Sequence, residues 1–185
     1  MISIRKYEEK DKPYLREICV KTSKLPVETS IQREFLYLLY NDYYTEVEGR
    51  NCFVAVDEND IPVGYILCAE NFNAYAKYFV KHYLPRIKKL GMSYYIMAVG
   101  EMLGHKLFSR KYPAHLHIDI LDVCQGQGVG TRLMNELKAH LKSKNVPALM
   151  LSCGGDNTMA VKFYKKNNFK VVKNLAGSYI MGIDL

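Results

Sequence analysis

Ile2-Ser3-Ile4-Arg5 alternates apolar and polar positions with period two, the pattern of a half-buried strand. Asp11, with Pro13 in a first turn, then opens a helix that gathers Leu15, Ile18 and Cys19 on one face. A second helix starts at Thr29 or Ser30: Thr29 and Gln32 fit a capping box, and Ile31, Phe35, Leu38 and Leu39 form an apolar stripe. Cys52–Val56 and Ile61–Ala69 read as two strands of a hairpin turning at Asp57-Glu58-Asn59-Asp60, with Pro62 at a strand start. Residues 115–121 alternate again, and beyond a glycine-rich turn Leu133, Met134, Leu137 and Leu141 mark a helix. Ala148–Leu151 is a short apolar strand. The last helix covers about 157–167 and stops at Asn168, a residue that tolerates the left-handed conformation helices end on. Val171-Val172 and Tyr179-Ile180-Met181 close the chain as strands. The order β-α-α-β-β, an insertion, then β-α-β-α-β-β predicts a single α/β domain over residues 1–185 with a mixed central sheet flanked by helices.

The insertion, about 71–114, carries eight Lys and Arg against one acid, Glu101, a local net of +7 that equals the net charge of the whole chain. Pro85 and Gly91 divide it into two expected helices, with Tyr75, Tyr78 and Phe79 at helical spacing. Its plainest reading is a pair of surface helices with aromatics on the sheet and lysines in solvent. A lid over an anionic or sugar-bearing substrate is the alternative, and a cationic polyamine would be repelled by such a lid. Nucleic-acid binding ranks lower, because no recognition module accompanies the basic and aromatic residues.

A length of 185 residues suits one domain. No run of about 18 apolar residues occurs, and the first residues lack the apolar core of a secretory signal, so the expectation is a cytoplasmic protein without membrane contact. Five scattered cysteines without a C-x-x-C suggest reduced thiols and no metal site. His115, His117 and Asp119 could supply ligands, yet one flat strand face rarely closes a tetrahedron.

The chemistry sits in Gln125-Gly126-Gln127-Gly128-Val129-Gly130-Thr131, between a strand and an amphipathic helix, where glycines let backbone N–H groups converge on an anion. The spacing matches neither the P-loop nor the dinucleotide pattern. Gln125, Gly128 and Gly130, as Q-x-x-G-x-G, resemble the pyrophosphate loop of the GNAT N-acetyltransferase superfamily. Asn157 to Phe169 is similar to that superfamily's second block, N-x-x-A-x-x-x-Y-x-x-x-G-F, with Asn168 in place of glycine. Pro113–Leu121 behind a long insertion resembles, more narrowly, acetyltransferases related to the domain appended to O-GlcNAc hydrolases.

This resemblance implies a mostly antiparallel GNAT sheet and a V-shaped opening between the strand ending near Leu121 and the strand at 148–151. Acetyl-CoA would pair there with backbone around Ile120 and Asp122. Its pyrophosphate would rest on the amides of Gly126, Gln127, Gly128, Val129, Gly130 and Thr131, and its pantetheine on Asn157. Tyr164 would sit near the sulfur as general acid. Several family members carry a glutamate base on the strand before the Asn block, where Ser152 and Cys153 stand here. His117 or Asp119 is the substitute, on one strand face with His115, and Asp119 would orient the imidazole. Cys124 and Cys153 permit a covalent route on paper, with no base identified for either thiol. The implied activity is direct transfer of acetyl to an amine acceptor, a small molecule, by a monomer or homodimer. A non-catalytic acyl-CoA-binding module is the alternative, motivated by the missing glutamate.

Overall fold

The computed structural model describes residues 1–185. The chain begins with β1 (Ser3–Lys6), a 3-10 turn, and α1 (Lys12–Thr22), which has Pro13 in its first turn. In α2 (Ser30–Leu36) the expected capping box forms: the Gln32 N–H donates to Thr29 Oγ1 at 3.2 Å, and the Thr29 N–H to Gln32 Oε1 at 2.9 Å. The helix outlasts its apolar stripe. A π turn (Tyr37–Asn41) carries it into α3 (Asp42–Val47), and the widened turn shifts which side chains face the sheet. Arg16 ties α1 to α3 by a bidentate pair with fully buried Asp42, at 2.9 and 2.7 Å.

β2 (Phe53–Val56) and β3 (Pro62–Ala69) form the hairpin, with Pro62 first in its strand. Three helices follow where two are expected: α4 (Phe72–His82), α5 (Leu84–Leu90) and α6 (Met92–Lys106). Pro85 lies in the first turn of α5, where a missing N–H costs little, and Gly91, at φ +151°, separates α5 from α6. Each division therefore starts a helix of its own. β4 (Ala114–Ile120), α7 (Val129–Ser143), β5 (Ala148–Gly154), α8 (Thr158–Lys166), β6 (Lys170–Leu175) and β7 (Ser178–Asp184) complete the chain. Asn168, at φ +69°, ends the region of α8 as expected.

The seven strands form one sheet in the order β1-β2-β3-β4-β5-β7-β6, antiparallel except for β4 and β5. α1 to α6 cover one face with an aromatic-rich core including Tyr43, Tyr44, Phe72, Tyr75 and Phe79. α7 and α8 cover the other through Leu133, Met134, Leu137, Leu141 and Tyr164. β4 and β5 pair only at Ala114–Leu149 and His115–Met150, after which they diverge. The sheet thus opens in its middle, between Leu116–Ile120 on one side and Leu151–Gly154 on the other. No helix is long and apolar enough to cross a membrane.

Candidate functional site

The loop from β4 to α7 stands at one mouth of this opening. Gly126 and Gly128 both take φ +74°, a left-handed conformation that only glycine adopts without strain. Gly130 is needed for a different reason: a Cβ there would lie 2.9 Å from the Phe163 ring and 3.1 Å from Ile120 Cδ1, so its absence lets α7 rest on α8 and β4. Side chains brace the loop from behind. Gln125 Nε2 donates to the Ile120 carbonyl at 3.0 Å and to Asp122 Oδ1 at 2.9 Å, and Gln127 Nε2 donates to the Val123 carbonyl at 3.0 Å. The backbone N–H groups of Gly126, Gln127, Gly128, Val129, Gly130 and Thr131 have no acceptor in the protein. These six consecutive donors, at the N-terminus of a 15-residue helix, form a positive concavity shaped for an anion.

Between the diverging strands lies a cavity of about 400 Å³, and Tyr164, His117, Asp119 and Asn157 all line it. Residues far apart in the chain are brought together here by the strand splay and by α8. Asn157 Oδ1 caps α8 by accepting the Ala160 N–H at 3.2 Å. Tyr164 is 8% exposed, and its hydroxyl has no partner in the protein yet is not among the sealed orphan atoms, so it opens on the cavity. Burial raises its pKa well above the usual phenol value, which keeps the proton on the oxygen. His117 is half-buried. Its Nε2 lies 3.0 Å from the Tyr44 hydroxyl, and its Nδ1 has no partner and is likewise not sealed. Desolvation, then the neighbouring His105, pushes its pKa down to about 3, leaving a neutral imidazole.

Asp119 does not orient His117. Side chains two apart on a strand stand parallel, about 6.6 Å from each other, too far for a hydrogen bond. Asp119 instead accepts the hydroxyl of Tyr65, its direct cross-strand partner on β3, at 2.5 Å. Burial raises the carboxyl pKa, while the Tyr65 and Thr22 hydroxyls pull it back. His117 is held by Tyr44 on α3, a residue without any signal in the sequence beyond an apolar stripe.

The insertion follows its plainest reading, surface helices with aromatics packed inward and lysines in solvent, and not the alternative of a basic lid. None of its eight cations lines the cavity, whereas its lone acid, Glu101 on α6, does. The charged side chains around the space are Glu101, Asp119 and Lys24, the last within 3.8 Å of Asp156. Two acids against one lysine line the chamber, the opposite of what a basic lid would bring: a segment's net charge carries no direction, and here the lysines point outward. The solitary acid in a basic segment was the signal available in the sequence. Cys153 also lines the cavity, with burial raising its thiol pKa, the wrong direction for a nucleophile.

Residues 14–169 match the sequence model of the family described as Acetyltransferase (GNAT) family. Among solved structures, that of SsHAT superposes with a TM-score of 0.88 at 24% identity, covering 99% of this chain and 98% of that one. PaiA N-acetyltransferase from Thermoplasma acidophilum, in complex with coenzyme A, gives 0.64 at 16% identity over 100% and 99%. A Drosophila melanogaster polyamine N-acetyltransferase that forms N-acetylagmatine gives 0.65 at 13% over the full length of both chains. At these identities the likeness is one of fold.

Proposed function

Because the chain belongs to the GNAT acetyltransferase family, we propose that it transfers acetyl from acetyl-CoA directly to the amine of a small cationic acceptor in the cavity between β4 and β5. One observation carries this reading: six free amides follow β4, and the same strand lines a chamber onto which an unpaired phenol and an unpaired imidazole nitrogen open beside the carboxylates of Glu101 and Asp119. The amides suit a pyrophosphate, and the unpaired edge of β4 suits an extended amide-bearing arm. Acetyl-CoA supplies the acetyl group as a thioester. The polyamine acceptor of the Drosophila neighbour agrees with the acidic chamber.

The protein's own groups then divide the work. Glu101 and Asp119 attract the acceptor ammonium. His117 Nδ1 takes the proton that frees the nitrogen lone pair, the C–N bond forms as the C–S bond breaks, and Tyr164 donates its proton to the departing sulfur. The nitrogen's second proton returns to Tyr164 and His117 gives its proton to solvent, so two protons leave the amine, one ending on the thiol and one in solvent, and both residues are restored. The helix end of α7 steadies the negative arm of the donor.

Two substitutions test the assignment. His117→Gln keeps a polar group of similar size and is expected to lower kcat about 100-fold, the usual worth of a positioned base. In the unmodified protein His117 is neutral at every pH above about 3, so kcat/KM should show no limb near the ordinary imidazole value of about 6.5. Such a limb, vanishing in His117→Gln, would contradict the buried neutral ring. Glu101→Gln is expected to raise the acceptor KM about tenfold with kcat nearly unchanged, as for loss of uniform binding to a cation. An unchanged KM for diamines would remove Glu101 from acceptor binding. Thiol release over a panel of mono- and diamines checks the whole reading. Binding of acetyl-CoA without release for any amine would leave a non-catalytic acyl-CoA-binding module.

A further inference from the structure

The aromatic core beneath α4 and α6 contains a feature that packing does not explain: two buried histidines with neighbouring rings, His105 and His115, of which His115 is linked through one phenol to His117. We infer that the chain from the Glu101 carbonyl through His105, His115 and Tyr44 fixes His117 in the tautomer whose bare Nδ1 faces the cavity. Tyr44, His115 and His105 are thereby positioning residues for the proton acceptor. The inference rests on the role of His117 given above.

Its direction is set at the far end. His105 Nδ1 lies 3.1 Å from the Glu101 carbonyl oxygen, which can only accept, so this nitrogen carries hydrogen. In a neutral imidazole the other nitrogen, Nε2, is then bare. It is buried without a partner, and so is His115 Nδ1, on a ring whose centroid is 5.2 Å away. Hydrogen on His115 Nδ1 makes these two orphans, on neighbouring rings, a complementary donor and acceptor. His115 Nε2 is then bare and accepts the Tyr44 hydroxyl at 2.9 Å. A phenol has a single hydrogen, so the Tyr44 oxygen must accept at its other contact, from His117 Nε2–H at 3.0 Å. His117 Nδ1 is left bare and open to the cavity. The opposite direction sets two bare, buried nitrogens against each other and blocks His117 Nδ1 with hydrogen.

The test is the imidazole nitrogen spectrum of histidine-labelled protein at pH 8, where an ordinary imidazole is neutral. Expected are a protonated Nε2 and bare Nδ1 for His117, and protonated Nδ1 for His115 and His105. Hydrogen on His117 Nδ1 would overturn the inference. Tyr44→Phe is then expected to release His117 into a mixture of tautomers and to lower kcat about tenfold while the acceptor KM stays within about twofold. A His117 tautomer unaffected by Tyr44→Phe would also overturn it. Should that variant fail to fold, the spectrum of the unmodified protein decides alone. Because the spectrum needs no turnover, an inactive protein with the expected tautomers would defeat the transferase reading only, and an active one with the reverse tautomers the positioning of His117 only.

Discussion

Tyr164→Phe is expected to lower kcat by about 100-fold or more while leaving the acetyl-CoA affinity and the melting temperature nearly unchanged. The aromatic ring supplies the packing: it meets Phe163 and Phe169 with centroids 5.3 and 5.9 Å away, contacts that phenylalanine keeps. The hydroxyl supplies only chemistry, since it bonds to nothing in the protein and opens on the cavity beside His117. Removing it therefore leaves no buried group unsatisfied. Burial holds the proton on the oxygen until a basic sulfur appears, and a positioned general acid contributes about 100- to 10,000-fold. Thiol release measured with saturating donor and acceptor, together with a melting curve, separates these effects. Full turnover in Tyr164→Phe would take the acid role from this residue.

The second large effect is expected at the loop. Gly128→Glu should weaken acetyl-CoA binding at least about 100-fold, equivalent to about 2.7 kcal/mol. No heavy atom lies within 4 Å of the position its Cβ would occupy, so the side chain enters without a clash. Two costs nevertheless fall on the site. At φ +74° any residue with a Cβ strains the turn, by about 1–2 kcal/mol. The new carboxylate can also fold back on the six free N–H groups and meet them before a phosphate does. Calorimetric titration checks the loss, with Gly128→Ala separating strain from charge: the alanine variant should lose no more than the roughly 5- to 30-fold that the strain corresponds to. Equal loss in both would mean that loop geometry alone sets binding.

The parts of this molecule that local chemistry dictates were legible in the sequence. Thr29 and Gln32 announce their capping box, Pro62 its strand, Asn168 its left-handed stop, and the glycines of 126–130 their concave turn, because each depends on residues within a few positions. Of the residues that line the cavity, Tyr164 and Asn157 come from the family motif, and His117 and Asp119 from the alternation of their strand. What stayed hidden is long-range. The Tyr44 hydroxyl reaches histidines 71 and 73 positions away. It does so from beyond a π turn, whose extra residue breaks the helical spacing that a reading of the sequence relies on. Asp119 shares a strand face with His117, as alternation says, but the neighbouring strand supplied a nearer partner in Tyr65. The insertion shows the same limit: its eight cations stand in solvent, as its plainest reading has them, but only three-dimensional placement reveals that the single acid turns inward.

The central claim is that an amine in this chamber receives acetyl from a donor held by the loop. The most direct measurement is mass spectrometry of a diamine incubated with acetyl-CoA and the protein, run beside Tyr164→Phe and Gly128→Glu. The account predicts a singly acetylated diamine formed by the unmodified protein in step with thiol release, and strongly reduced product with either variant. Acetyl-CoA bound tightly by the unmodified protein, with no acetylated amine from any mono- or diamine tried, would contradict it.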